Sequence, residues 1–189
     1  EKLTDNSTVQ VPTSWPADGK SILVSANRRA DWDMEPLDSE VYAFSVEDGS
    51  VTAVTDRRGP DAEVVVSPDG KRIAYTPLAE PFGQWKNYRG GRTSRIWLYD
   101  RDEHDVVQVP QPQGRSNDTD PMWFGGMVYF TSDRNGEFNL YSFDEGSGAV
   151  TQLTRYNDFP VLNASAGSGV IVYEQAGYLR SFDPGTGQD

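Results

Sequence analysis

The sequence predicts an all-β fold built from four similar units, and three observations lead to it. The 189 residues include 18 Gly, 12 Pro, 5 Trp, 9 Tyr and 8 Phe, a composition that suits short strands and tight turns. No twelve-residue stretch free of Gly and Pro has the apolar spacing of a helix. A turn followed by a β-branched or aromatic run recurs four times. We therefore expect one all-β domain, residues 1–189.

Each unit starts with a turn and the strand that follows it. The four strands are Ile22–Val24, Ile73–Tyr75, Val128–Phe130 and Ile171–Tyr173. Their first residues are 51, 55 and 43 positions apart. A period of this size indicates a repeat architecture rather than a single sheet.

Three more strands are predicted in each unit. The preceding strands are Val11–Trp15, Val64–Ser67, Pro121–Phe124 and Val161–Ala166. The following strands are Val41–Phe44, Ile96–Tyr99, Asn139–Phe143 and Tyr178–Phe182, and the last runs are Val51–Thr55, Val106–Val109 and Ala149–Thr154. Four antiparallel strands form a propeller blade but could equally belong to a sandwich, and the fourfold repeat of about 40 to 55 residues favours the β-propeller. The predicted blades are residues 11–55, 64–110, 121–154, and 161–189 together with 1–4.

The last blade lacks an outer strand at the C-terminal end of the sequence. Joining Asp189 to Glu1, Lys2, Leu3 and Thr4 gives a segment that matches Asp144–Thr154 in length and in its Asp, Gly, Leu and Thr positions. We therefore expect Glu1–Thr4 to complete the fourth blade, because an unpaired edge strand invites association. A frayed terminus is the alternative.

Several segments resemble known propeller families. Ser67–Tyr75 and Thr131–Tyr141 are similar to the WD40-like repeat of tricorn protease, TolB and the prolyl-oligopeptidase-like serine peptidases. Residues 77–189 resemble the propeller of a bacterial tricorn-like protease, and residues 14–76 resemble that of the prolyl-oligopeptidase-like group. The join falls in the shared Pro68–Tyr75 motif, which suggests a fusion of two half-propellers, natural or engineered.

The resemblance covers the propeller and no catalytic domain. A serine peptidase needs a nucleophile activated by a base, yet the only histidine is His104 in an acidic hairpin segment, and no Gly-x-Ser-x-Gly occurs. We expect no enzyme activity, no cofactor and no metal site, and we interpret Asp133–Glu137 as a hairpin turn rather than a calcium loop. An enzymatic alternative needs carboxylates such as Asp118 and Asp120 to form a site at the mouth of the channel.

Charge and composition limit the partners. The formal net charge is −12 and the pI is about 4.4, which argues against nucleic acid and acidic membrane surfaces. There is no cysteine, so disulfides and thiolate metal sites are excluded. No apolar run is long enough to span a bilayer, and we expect a soluble chain. The start at Glu1 is typical of a mature or excised segment, and the sequence assigns no compartment.

Two long insertions are predicted on one face of the propeller. In each blade the loop from second to third strand and the loop to the next blade emerge on the same side. Arg28–Ser39 and Pro77–Ser94 lengthen this face in blades one and two. Arginine and aromatic residues are typical of interface anchors. The predicted ligand-binding residues are Arg28, Arg29, Trp32, Arg57, Arg58, Trp85, Tyr88, Arg89, Arg92 and Arg115. The alternative is that these arginines pair with acids such as Asp31, Asp33 and Glu35 and only brace the loops.

Two functions and two assemblies follow. The first function is a non-catalytic module that binds peptides or a partner protein through the long-loop face, and the second is a purely structural assembly unit. The resembled families build propellers of six to eight blades, which implies that four blades describe about half a ring. We expect a homodimer that closes an eight-bladed ring, and a closed four-bladed monomer is the alternative.

Overall fold

The computed structural model of the chain describes residues 8–16, 19–56, 58–77 and 86–189. All regular secondary structure in these ranges is β-strand, arranged in four antiparallel sheets. Within them, no helix is long and apolar enough to cross a membrane. The predicted all-β propeller fold is therefore confirmed, and each sheet is one blade.

The blades follow one another along the chain with the same strand order. Blade 1 contains β1 (Thr8–Ser14), β2 (Ser21–Asn27), β3 (Glu40–Ser45) and β4 (Val51–Ala53). Blade 2 contains β5 (Ala62–Val66), β6 (Arg72–Thr76), β7 (Trp97–Asp100) and β8 (Val106–Gln108). Blade 3 contains β9 (Asp118–Phe124), β10 (Met127–Ser132), β11 (Asn139–Asp144) and β12 (Ala149–Gln152). Blade 4 contains β13 (Val161–Gly167), β14 (Val170–Gln175) and β15 (Tyr178–Phe182).

The first strand of each blade is the inner strand, and inner strands pack side by side in the order β1, β5, β9, β13. Each inner strand carries an irregularity in its pairing with the second strand. In blades 2, 3 and 4 the irregularity coincides with a left-handed residue, namely Glu63 (φ 51°), Asp120 (φ 51°) or Asn163 (φ 53°). Such a bulge turns a side chain away from the regular alternation of the strand.

These bulges explain two of the differences between the predicted and the observed strand bounds. Strands β5 and β9 begin at Ala62 and Asp118, ahead of the predicted Val64 and Pro121, because the bulge interrupts the apolar alternation. At the other edge, β4, β8 and β12 stop one or two residues before the predicted ends.

The apolar core is divided among the blade interfaces. Leu23, Val64 and Tyr75 belong to a cluster shared by blades 1 and 2. The interface of blades 2 and 3 contains Leu98 and Phe130. The interface of blades 3 and 4 contains Tyr129, Leu140, Ile171 and Tyr173. Each blade is thus held mainly by its neighbours.

Blade 4 has three strands in the described part of the chain. After β15 the chain turns at Asp183, whose amide donates to the Gln188 carbonyl at 2.9 Å in an isolated bridge. The segment predicted to complete this blade, Glu1–Thr4, lies outside the described residues.

Candidate functional site

The long loops of blades 1 and 2 lie on one face together with the connections between blades. The Gly59 amide donates to Asp38 Oδ1 at 2.6 Å, which joins the β4–β5 connection to the β2–β3 loop. Arg115 Nη1, in the β8–β9 connection, donates to the Gly90 carbonyl at 3.0 Å in the β6–β7 loop. The two loop types therefore meet on a common surface, here called the long-loop face.

Two of the predicted binding arginines are engaged in ion pairs within this face. Arg29 lies 2.9 Å from Asp38 Oδ2 and 3.0 Å from Glu40 Oε1, and its hydrogen bond to Glu40 raises its pKa above the ordinary value. Arg89 donates to Asp133 Oδ2 at 2.6 Å and to the Asp133 carbonyl at 3.0 Å. These contacts hold the loops in place, as the bracing alternative requires, although the acids differ from the sequence neighbours named for it.

Arg28 and Arg58 make weaker contacts. The Arg28 guanidinium lies 5.7 Å and 5.8 Å from the ring centroids of Tyr42 and Phe44, within cation–π range. Arg58 and Asp31 are 4.0 Å apart, and both side chains are exposed. An ion pair of this kind contributes little to stability and leaves the guanidinium accessible.

Three further predicted residues, Trp32, Tyr88 and Arg92, lie in the described parts of the long loops. Trp32 and Arg92 are exposed, and Tyr88 is half-buried with its carbonyl accepting from Arg89 and Asn117. Two of the predicted residues lie outside the described part of the chain, Arg57 and Trp85. The ligand-binding role of the whole set stays a prediction.

A pocket that the sequence reasoning missed lies at the base of the long loop of blade 2. Its volume is about 200 Å³, and it is lined by Pro77, Gly91, Thr93, Arg95 and Trp97. Thr93 is 2% exposed, and its Oγ1 has no hydrogen-bond partner. The described acids form no ion pair with half-buried Arg95. A guanidinium and a free hydroxyl beside an indole suit a carboxylate or another small anion.

A signal for this pocket is present in the sequence. Thr93, Arg95 and Trp97 are alternate residues where the chain extends into β7, so their side chains share one side of the backbone. The predicted insertion Pro77–Ser94 includes Arg89 and Arg92 but ends one residue before Arg95. The alternation of side chains along an extended chain groups Arg95 with Thr93 and Trp97 instead.

A larger cavity runs along the inner strands of all four blades. This axial cleft has a volume of about 460 Å³, and its lining includes Trp15, Val64, Met122 and Phe124. A smaller pocket of about 90 Å³ adjoins it on the side of Phe138 and Asn163. Glu63 and Asp120 line both cavities and therefore lie where the two meet.

The Asp120 carboxylate is set into the cleft by its left-handed backbone. Thr131 Oγ1 donates to Asp120 Oδ2 at 2.8 Å, and the Asp120 amide donates to Glu63 Oε2 at 3.3 Å. Burial raises the pKa of Asp120, and the hydrogen bonds from Thr131 and Thr119 oppose that rise.

Asp118 and Asp120 do not form a shared site. Asp118 is fully buried away from the cleft, where it pairs with Arg134 Nη2 at 3.1 Å and accepts from the Ser132 hydroxyl at 2.6 Å. The bulge at Asp120 turns the Asp120 carboxylate to the opposite side of the strand, towards the axial cleft. Asp118 and Asp120 therefore do not provide the paired carboxylates that the enzymatic alternative named.

The other sequence candidates occupy turns. His104 lies at the β7–β8 turn with φ 57°, and its Nδ1 is 2.5 Å from the Tyr99 hydroxyl. Asp133 is buried and accepts from the Asn117 amide at 2.8 Å, while the Gly136 amide closes the turn on the Asp133 carbonyl. Among the described residues, no group of three or more His, Cys, Asp or Glu side chains could hold a metal ion.

Comparison with protein families gives a match over nearly the whole sequence. Residues 1–188 match the family described as the tricorn protease N-terminal β-propeller domain. The matched range extends on both sides of Pro68–Tyr75, where the sequence suggested a join between two half-propellers. The fusion hypothesis stays a prediction.

Curated relatives carry the same family name. The chain is 35% identical over 119 residues to the putative tricorn protease homolog 2 of Streptomyces coelicolor, covering 61% of this chain and 10% of the relative. It is 32% identical over 148 residues to the tricorn protease homolog of Saccharolobus solfataricus, covering 77% of this chain and 13% of the relative. The chain thus spans about a tenth to an eighth of the length of these relatives.

Solved structures share the fold at low identity. TolB from Acinetobacter baumannii superposes with a TM-score of 0.71 at 21% identity, over 95% of this chain and 42% of TolB. A prolyl endopeptidase superposes with a TM-score of 0.62 at 14% identity, over 89% of this chain and 24% of that protein. The resemblance noted for the sequence thus extends to both groups of propellers.

Proposed function

Because this chain belongs to the family of tricorn protease N-terminal β-propeller domains, we propose that it is a non-catalytic module that binds peptides through the long-loop face. The whole relatives are named as proteases, and this chain corresponds to a small part of them. In the proposal, the propeller contributes binding, and any peptide hydrolysis belongs to other parts of a longer protein.

The pocket at Thr93 and Arg95 is the observation that supports this proposal most directly. Its cation, its hydroxyl and the indole of Trp97 would recognise the carboxylate of a peptide C-terminus or of an acidic side chain together with an adjacent apolar group. Arg89 and Arg29 fix the surrounding loops through buried acids, so the surface is organised before a ligand arrives. A preorganised loop surface reduces the entropy cost of binding.

Isothermal titration calorimetry can test the proposal with two peptides. Acetyl-Ala-Phe-Ala-Leu with a free C-terminal carboxylate is compared with the same peptide amidated at the C-terminus. We expect the free acid to bind and amidation to weaken binding about tenfold or more, because a hydrogen bond to a charged group contributes about 1.5–3 kcal/mol. Equal binding of both peptides, or binding of neither, would contradict the proposal.

Variants locate the site. Arg95→Ala is expected to weaken binding of the free acid about tenfold, and Thr93→Val to weaken it severalfold without loss of stability, since the hydroxyl has no partner in the fold. Arg155→Ala removes the same charge from an exposed position in the β12–β13 connection and serves as the matched control. An Arg95→Ala variant that binds like the Arg155→Ala control would place the ligand elsewhere.

The purely structural function is the other outcome of this experiment. Arg29 and Arg89 support it, because their ion pairs explain them without any ligand. A chain that binds neither peptide but unfolds on substitution of Arg89 would act as a structural unit.

A further inference from the structure

We propose that the axial cleft is a second binding site, which takes a cationic group of a peptide, either a Lys or Arg side chain or an N-terminal ammonium, together with a neighbouring apolar residue. This site lies on the inner strands and is separate from the pocket at Arg95. It goes beyond the proposed function, since its ligand carries the opposite charge.

The cleft has the size and the walls of a ligand site. A volume of about 460 Å³ lies within the range of small-ligand pockets, roughly 300–1,000 Å³. Trp15 is largely exposed at its rim, and Met122 and Phe124 line it from blade 3. An apolar wall with an accessible indole can hold the stem of a long cationic side chain and contact its charge through the ring face.

The charge of the lining favours a cation. Glu63 and Asp120 are the only ionisable side chains among the described residues that line the cleft. Asp120 receives hydrogen bonds from the hydroxyls of Thr119 and Thr131, and the described part of the chain offers it no ion-pair partner. A bound cation would supply the opposite charge to a carboxylate that the fold holds partly out of water.

The position of Asp120 is built into the repeat. Blades 2, 3 and 4 each place a polar residue with positive φ at the same point of the inner strand, and in blades 2 and 3 that residue is acidic. The backbone therefore directs Asp120 and Glu63 to the same level of the cleft, where the Asp120 amide also contacts Glu63. Two carboxylates fixed by backbone geometry select for charge without needing a flexible loop.

Calorimetry with three peptides tests the proposal. The first is acetyl-Ala-Phe-Lys-Phe-Ala-amide, the second replaces Lys with norleucine, and the third is the norleucine peptide with a free N-terminus. We expect the Lys peptide to bind at least tenfold more tightly than its norleucine counterpart. Tight binding of the third peptide instead would assign the site to the N-terminal ammonium. Equal affinities for all three would overturn the proposal.

Variants connect the selectivity to the cleft. Asp120→Asn keeps the shape and tolerates positive φ, and it is expected to reduce affinity for the Lys peptide at least tenfold while leaving the norleucine peptide unchanged. Glu63→Gln is a second variant that should also reduce the preference for Lys. Glu103→Gln removes the same charge from the exposed β7–β8 turn and serves as the control. Unchanged selectivity in both cleft variants would overturn the proposal. Failure of the free-acid peptide to bind at Arg95 would contradict the proposed function only, and the cleft proposal would stand.

Discussion

Blades 3 and 4 have closely similar strands, yet they differ in the burial of one face. This is the outward face, the side of each sheet that points away from the preceding blade. Leu140 lies opposite Thr131 in blade 3, and Leu179 lies at the equivalent place opposite Glu174 in blade 4. Leu140 is 0% exposed and Leu179 is 83% exposed. Two positions before Thr131 on the second strand, Tyr129 is 7% exposed, and its blade 4 equivalent Val172 is 43% exposed.

The difference shows that side chains on the outward face are buried by the next blade, and not by the other strands of their own sheet. Leu140 and Tyr129 pack in the cluster that includes Ile171 and Tyr173 of blade 4. In the described part of the chain, no blade covers Leu179 or Val172 in the same way. Stability should therefore depend on which interface a residue faces rather than on its strand.

The largest effect is expected at the start of the inner strand of blade 3. Asp118 is fully buried against Arg134, and Val161 occupies the equivalent place in blade 4. Asp118→Asn should lower the free energy of unfolding by about 3–5 kcal/mol, because it leaves the Arg134 charge uncompensated in a buried site. Chemical denaturation measures the change. Glu174→Gln in blade 4, where the carboxylate contacts the Asn163 amide at 3.3 Å, is the control and should be nearly neutral.

Truncating the two equivalent leucines compares the outward faces directly. Leu140→Ala should cost about 3 kcal/mol of stability, because a buried cavity replaces the side chain. Leu179→Ala should change stability by less than about 0.5 kcal/mol, since the side chain is exposed. Thermal unfolding of the two variants checks the pair. Equal losses would mean that the outward face of blade 4 is covered in solution.

A smaller effect is expected where the outer strand meets the third strand. Thr154 Oγ1 accepts from the Leu140 amide at 2.9 Å and donates to Asn139 Oδ1 at 2.9 Å. Its blade 1 equivalent, Thr55, likewise accepts from the Val41 amide and donates to Glu40 Oε2. Thr154→Val should cost about 1–2 kcal/mol, because both partners lose a buried hydrogen bond. Denaturation of Thr154→Ser, which keeps the hydroxyl, should show most of the stability retained.

The smallest effect concerns Asp120 and its blade 4 equivalent, Asn163, which share a left-handed backbone. Burial raises the pKa of Asp120, so its charged form is disfavoured in the folded state and its protonated form is favoured. Asp120→Asn should therefore raise the melting temperature slightly at pH 7. The gain should shrink as the pH falls through the raised pKa, where the wild-type carboxyl becomes neutral. A melting temperature that decreases at pH 7 would contradict this account.

Much of the fold was predictable because turns and alternation are local features. The four turn-and-strand signals gave the blade order, and the long loops at 28–39 and 77–94 were placed on one face by strand direction alone. Bulges were not predictable in this way, since the left-handed conformation of Glu63 and Asp120 depends on the neighbouring strands.

The candidate site was predicted in composition but not in its particular residues. Arg89 was expected to face a ligand, yet it pairs with Asp133, which is 44 positions away in sequence. Leu179 has the pattern of a core residue and is exposed, because burial there depends on a neighbouring blade. Ion pairs and pockets between distant loops require the three-dimensional path of the chain.

The central claim is that the long-loop face binds a peptide carboxylate at Thr93 and Arg95. Nuclear magnetic resonance of the tryptophan indoles tests it directly, because Trp97 lines that pocket, Trp15 and Trp123 line the axial cleft, and Trp32 lies in the β2–β3 loop. Titration with acetyl-Ala-Phe-Ala-Leu free acid should shift the Trp97 indole signal and leave the Trp15 signal unchanged, and the amidated peptide should shift neither. Shifts confined to Trp32 or Trp15, or no shift at any indole, would contradict the claim.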